Sequence, residues 1–416
     1  MSDGADIAAL LSRLSRQETG RLTGALARKL GTGSLSFAED CVQEAFLAAL
    51  QTWPQRGVPD NPIAWLLTSA HNKGVDRLRR HAMQGALEPR VSDWMQALHR
   101  MPADMLVGDE ELQLISMCCD PRLEDDARQV LALKCVCGFS VEEIARAFLA
   151  KPSAIAQRFV RAKARLKEGL VLEVPASGAV ADRMPSMLRT IYLLFNEGYT
   201  ASGGERLVRG ELCDEAIRLC RILLTHAQTT VPEAHALCAL MLFQHARREA
   251  RVSEDGIALP LEVQDRAIWD KAMIAEGFHQ LTLAMSGDRL TSFHLEAGIA
   301  SVHAAASDFG ATDWALLGQY YDALVEVAPS PVVEINRAIA VAMHQGPEDG
   351  LRLLEPLRAQ MIVQNYLPFH LALGDLELRR GQRELARAAF TAALGLAMSE
   401  QERKLIAGKL QHAADA

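Results

Sequence analysis

Residues 139–167 read FSVEEIARAFLAKPSAIAQRFVRAKARLK, and this stretch decides the fold. Ser140 followed by Glu143 has the spacing of a capping box, in which two side chains satisfy the free backbone amides that open a helix. Val141, Ile144, Ala145 and Phe148 then recur at helical spacing as a buried stripe. Leu149 to Pro152 makes a turn, and Ser153 is placed to cap a further helix. In that helix Ile155, Phe159, Ala162 and Leu166 point inward, which leaves Ala156, Gln157, Arg158 and Arg161 facing outward. Upstream, Asp125 to Cys137 reads as a helix ended by Gly138. Three short helices with a tight turn before a basic last helix are the plan of a helix-turn-helix, whose final helix enters the major groove. An ordinary helical bundle with solvated Arg and Lys remains open on this segment alone.

Working outward, a second capping box, Ser36 with Glu39, opens a helix that is expected to run to Trp53 and stop at Pro54. Ala38, Cys41, Val42, Ala45, Phe46, Ala49, Leu50 and Trp53 form its apolar face, leaving Glu39, Asp40, Gln43, Glu44 and Gln51 on the remaining surface. After a loop from Pro54 to Asp60, Asn61 caps the next helix with Pro62 at its first position. That helix reaches about Arg80 and gathers Lys73, Arg77 and Arg80 on one face. Residues 82–110 read as a linker, with Pro89, Pro102 and the acidic group Asp104, Asp109, Glu110 and Glu111.

Composition sets the outer bounds. A chain of 416 residues suggests two to four domains, and Ala, Leu, Arg and Glu in helix-like patterns make it all-α. The net charge of -8 hides an asymmetry: residues 1–170 carry 22 Lys and Arg against 21 Asp and Glu, and the rest carries 22 against 31. Polyanion binding depends on local charge, and the positive charge concentrates in 151–170 and 73–80. No apolar run reaches the roughly 18 residues of a membrane span, and Asp3 and Asp6 stand where a signal peptide would be basic. A cytoplasmic protein without membrane contact is expected, with Cys41, Cys118, Cys119, Cys135, Cys137, Cys213, Cys220 and Cys238 kept as thiols. A thiol metal or redox site among Cys118, Cys119, Cys135 and Cys137 is weighed against small buried core residues, and the core reading is preferred because the spacing is not that of a zinc ribbon. With no phosphate loop, nucleotide-binding glycine fingerprint or nucleophile elbow, neither an enzyme nor a cofactor is expected.

Beyond residue 184 the chain reads as a succession of helix pairs. Tyr366 to Ala397 is the best-defined, with Leu373, Gly374, Gly381, Ala386, Phe390 and Ala393 at the small and large positions of a tetratricopeptide unit. The preceding pair, Pro331 to Leu357, turns at Gly346, near the expected period before Gly381. Arg247 to Asp265 suggests a larger loop, with a small hairpin around Asp255-Gly256. Leu194 to Tyr199 admits two readings: a helix end closed by Gly198, or a contact between modules.

Three segments carry a resemblance: FAEDCVQEAFLAALQTW (37–53), NPIAWLLTSAHNKGVDRLRR (61–80) and the opening stretch. In order and spacing they resemble sigma factors of the extracytoplasmic-function type. The remainder, including LLFNEGYTAS at 193–202, resembles the subgroup with a fused tetratricopeptide-like C-terminal domain. The resemblance implies region 2 over 1–81, region 4 over 111–172 and a helical regulatory domain over 184–416. Asp40, Gln43 and Glu44 would contact core RNA polymerase. Asp60 and Asn61 would lie near the pocket for a flipped -10 base, with Lys73, Arg77, Arg79 and Arg80 following the backbone. At the -35 element, Ala156, Gln157 and Arg158 would lie nearest the base edges, with Arg161 and Lys163 on phosphates and Ser153 also in the DNA-binding set. The few aromatics of the -10 helix fit limited melting power. Where relatives commonly place a His after the Cys pair, this chain has Asp120. The C-terminal domain would inhibit in cis or support activity by binding a protein partner. An operator-binding regulator and a repeat scaffold are the two competing functions.

Overall fold

A computed structural model describes residues 35–59, 61–83, 110–137, 139–148, 150–167, 179–199, 210–251, 253, 259–397 and 400–415, with isolated positions between 7 and 26. Among the described residues every regular element is helical. They divide into two compact units, one of residues 1–198 and 211–230, the other of 199–210 and 231–416.

The first unit begins with α1 (Leu35–Arg56) and α2 (Pro62–Met83). Ser36 lies inside α1, so it is not the cap. The helix also runs through Pro54, because a proline in the last turn removes only one hydrogen bond, and Gly57 (φ 82°) closes it with its N–H donating to the Trp53 carbonyl at 2.9 Å. Ala38, Cys41, Val42, Ala45, Phe46, Ala49 and Trp53 are buried as their spacing predicts. The edge of that arc is different: Leu50 is exposed and Glu39, expected on the surface, is 5% exposed. Both lie on the same edge of the helix, where Glu39 meets Cys135 of α4 (Asp125–Cys135). Trp53 packs edge-on against Trp65 at 5.6 Å, fixing α2 across α1.

The helix-turn-helix follows from α3 (Glu110–Cys118) through α4, α5 (Val141–Ala147) and α6 (Pro152–Lys167). Ser140 and Glu143 form the capping box that opens α5. Ile144, Ala145, Ile155 and Ala162 are buried in its core, whereas Val141, Phe148 and Phe159 are half-buried. α4 ends at Cys135, two residues early, as Cys137 and Phe139 turn their amides back to Ala132 and Leu133. Gly138 is outside the described residues.

The unit does not close at residue 172: residues 184–198 of α7 (Met184–Tyr199) and residues 211–223 of α8 (Gly210–Leu223) belong to it. Gly198 lies buried within α7, which corrects its reading as a helix end.

The second unit is built of α9 (Pro232–His245), α10 (Lys271–Ala284), α11 (Ser292–Ala305), α12 (Trp314–Val327), α13 (Pro331–Gln345), α14 (Pro347–Leu354), the short α15 (Met361–Gln364), α16 (Leu367–Arg379), α17 (Arg383–Leu396) and α18 (Glu400–Asp415). Close approach at glycine organises it. A Cβ on Gly374 of α16 would lie 2.4 Å from Phe390 of α17, and Gly277 and Gly298 stand in the same relation to Phe243 and Tyr320. Each aromatic ring occupies the space a side chain would take, so the paired helices can cross closely. Gly346 (φ 121°) and Gly381 (φ 79°) make the tight turns expected between α13 and α14 and between α16 and α17. Phe390, Ala386 and Ala393 also join Ile406 and Ala413 of α18 in one apolar cluster. The loop after α9 contains single 3-10 turns at Arg248–Ala250, Leu261–Val263 and Arg266–Ile268, and the expected hairpin at Asp255-Gly256 lies outside the described residues.

Candidate nucleic-acid interface

α6 presents the side chains expected to read DNA. Pro152 occupies its first position, where a missing N–H and a fixed φ cost nothing, and the Lys151 carbonyl accepts from Ala154 and Ile155. Ser153 is therefore one residue inside the helix and not its cap; it is exposed. Gln157 and Arg161 are exposed and Ala156 is half-buried. No ion-pair partner holds Arg161 among the described residues. Arg158 differs: its guanidinium pairs with Asp126 of α4 at 3.0 Å and lies over the Phe148 ring at 6.0 Å. The side chain of Lys163 is outside the described residues.

On the other module, the residues expected to meet polymerase and those expected to follow DNA are brought together. Arg77 of α2 pairs with Glu44 at 2.5 Å and with Asp40 at 3.7 Å, and Lys73 lies 3.9 Å from Glu44. Arg77 also covers the Phe37 ring. Gln43 is exposed beside this ladder. Asn61 caps α2 as expected, its side-chain oxygen accepting from the Ala64 amide at 3.0 Å. Asp60 and the side chains of Arg79 and Arg80 are outside the described residues.

Among the described residues, several contacts between distant segments tie the first unit together. The Cys135 thiol donates to the buried Glu39 carboxylate at 3.6 Å, joining α1 to α4. Asp120, 1% exposed, receives Arg122 at 2.6 Å and Arg183 at 3.2 Å, while Arg183 also donates to the Ser116 carbonyl. The bidentate Arg122 hydrogen bonds hold the Asp120 carboxyl below its ordinary value. Glu197 of α7 accepts from Arg146 of α5 at 3.3 Å, so the Leu194 to Tyr199 segment makes an inter-module contact. Arg128 of α4 adds a hydrogen bond to Ser186.

The cysteines behave as core. Burial pushes the Cys118 thiol well up and the Cys119 thiol to about 12. Among the described residues no group of His, Cys, Asp and Glu is arranged to hold a metal ion, and no helix is long and apolar enough to cross a membrane.

Comparison with known proteins matches residues 17–83 to sigma-70 region 2, residues 118–166 to sigma-70 region 4, and residues 183–285 to a family of unknown function, DUF6596. The uncharacterized protein R00370 of Rhizobium meliloti (strain 1021) is 40% identical over 388 residues, covering 92% of this chain and 91% of its own. The ECF RNA polymerase sigma factor SigK of Mycobacterium ulcerans (strain Agy99) is 27% identical over 37% of this chain and 87% of its own. The RNA polymerase sigma factor CarQ of Myxococcus xanthus is 30% identical over 36% of this chain and 82% of its own. No solved structure matches. With regions 2 and 4 matched in order onto the two basic helical modules, the chain belongs to the sigma-70 family of sigma factors.

Proposed function

We propose that this sigma factor is of the extracytoplasmic-function type, binds core RNA polymerase through Asp40, Gln43 and Glu44, and reads the -35 element with α6. The observation that carries the reading is the exposed Gln157 and Arg161 on the second helix of a capping-box helix-turn-helix. Gln favours adenine by bidentate geometry, and Arg161 is placed for phosphate. Asn61 and the basic face of α2 serve the -10 region. The C-terminal unit is a tetratricopeptide-like regulator acting in cis on a protein surface, supported by the glycine-aromatic pairs and tight turns of α13 to α17.

The Glu39–Cys135 contact adds a step. The -35 and -10 elements are centred more than two duplex turns apart, at about 34 Å per turn, so modules in contact cannot read both. The free chain is a closed form, and polymerase separates α1 from α4.

Run-off transcription with bacterial core polymerase on a promoter library tests the function, comparing the full chain with one ending after Thr230. The cut is placed there because α7 and most of α8 complete the first unit. Promoter-selective transcripts are expected from the full chain, and gain or loss on truncation distinguishes inhibition from support. Specific binding to a duplex operator without polymerase would favour the operator-binding regulator.

A further inference from the structure

In the second unit, between the end of α9 and the end of α11, cations gather without acids. Arg247 and Arg266 lie over the Trp269 ring at 5.2 Å and 5.1 Å, and Arg251 lies over the Tyr199 ring at 3.5 Å. Arg266 and Trp269 are buried at 6% and 3% exposure; Arg247, Arg251 and His303 are half-buried, so the cluster reaches the surface. Their hydrogen bonds go to neutral groups. Arg247 donates to the Gln264 side-chain oxygen, Arg251 to the Tyr199 carbonyl, and Arg266 to the carbonyls of His303 and Ala306 and to Thr312. Among the described residues no carboxylate forms an ion pair with any of the three. The acid that acts on Arg266 at a distance, Asp308, is exposed and held by the Ala311 amide and Ser307.

Such an arrangement is unfavourable by itself. Buried cations are ordinarily paired; here burial and the neighbouring guanidinium both weaken the charged form of Arg266, and burial with Arg247 and Arg266 lowers His303 to about 4. The side-chain donors Arg266 Nε and Trp269 Nε1, together with His303 Nδ1, are buried with no hydrogen-bond partner. An orphaned polar atom costs roughly 1–3 kcal/mol, and three in one cluster call for a missing acceptor.

We propose that Arg247, Arg266, Trp269 and His303 form a binding site for a phosphate-type oxyanion, free or as a phosphomonoester. A tetrahedral oxyanion with three or more oxygens offers acceptors in more directions than the two coplanar oxygens of a carboxylate, and so suits donors that come from several residues. The site makes the C-terminal unit responsive to a small anion, independently of the helices that meet DNA.

The test is thermal unfolding of the full chain in inorganic phosphate, glycerol phosphate, acetate or chloride at matched ionic strength. Phosphate or glycerol phosphate at tenfold excess over Kd is expected to raise Tm by about 3 °C, and acetate and chloride are expected to do nothing. The stronger of the two phosphate arms identifies the source. Arg247→Gln should abolish the shift while leaving the ligand-free chain at least as stable, because a repulsive cation is gone. Trp269→Phe, which keeps the stacking and removes only the N–H, should weaken the shift if Arg247→Gln fails to fold. Arg161→Ala should leave it intact. No phosphate-specific shift in the parent chain, or the same shift in Arg247→Gln and Trp269→Phe, overturns the proposal.

Discussion

α2 and α6 read alike in the sequence, each a basic helix following a capped turn, yet the structure uses their charges differently. On α2, Arg77 and Lys73 are engaged by Glu44 and Asp40 of the helix beneath. On α6, Arg161 and Gln157 are exposed, whereas Arg158 is tied down by Asp126. The lesson is that a run of Lys and Arg measures available charge, whereas the acids on the neighbouring helix decide how much remains for a polyanion. Under the proposed function α6 would meet duplex DNA as it stands, and α2 would do so once polymerase takes up Asp40 and Glu44.

The largest effect should come from the platform under α6. Asp120→Ala removes the carboxylate that pairs with the buried Arg183 and should destabilise the first unit by about 3–5 kcal/mol, read by urea unfolding, with amide exchange rising across α3, α4 and α7 more than in α1 and α2. Equal loss across both modules would show that they do not differ in support. The same carboxyl sets an acid limit. Its pKa is depressed in the fold, so its contribution is complete above the ordinary carboxylate value of 3.8 and is lost as pH falls through the lowered one. Acid titration of Asp120→Asn should show that loss missing.

Next in size is base reading. In the holoenzyme Arg158→Ala should cost about 1–3 kcal/mol at one -35 base pair and little elsewhere, measured on single-substitution promoters; a uniform loss would move Arg158 from base to backbone. Arg161→Ala should weaken all promoters alike and reduce the salt slope by about one. The smallest change belongs to α2. Arg77→Ala should alter the stability of the free chain by under about 1 kcal/mol, since half-exposed ion pairs contribute little, and should leave closed-duplex affinity nearly unchanged. A loss matching that of Arg161→Ala would break the contrast between the helices.

Much of the first unit was legible. The capping box at Ser140, the Asn61 cap followed by Pro62, the buried face of α1 apart from Leu50, and Ile144 and Ala145 of α5 rest on patterns within a few residues, and these formed as read. Misreadings came where distant chain intervened. Glu39 looked solvent-facing because nothing near it in sequence announces α4, ninety-six residues on. Gly198 looked like the residue that closes the helix, but it lies in the last turn of α7, which ends at Tyr199, and the same turn sets Glu197 against Arg146. Ser153 looked like a cap because Lys151 carries no cap signature, and Pro152 at the first position settled the matter. Leu50 fits the apolar period, but periodicity cannot say where a partner helix stops.

Taken alone, the sequence determined the all-helical class, the helix-turn-helix, the sites of the turns at Gly346 and Gly381, and the outward face of α6, because helix periodicity, caps and glycine turns are short-range properties of the chain. Only the tertiary structure decided which charges are spent and which stay free. The Asp40–Arg77 ladder, the Asp120–Arg183 clamp and the arginine cluster around Trp269 all depend on which helices meet, and those meetings are set by packing between residues far apart in sequence.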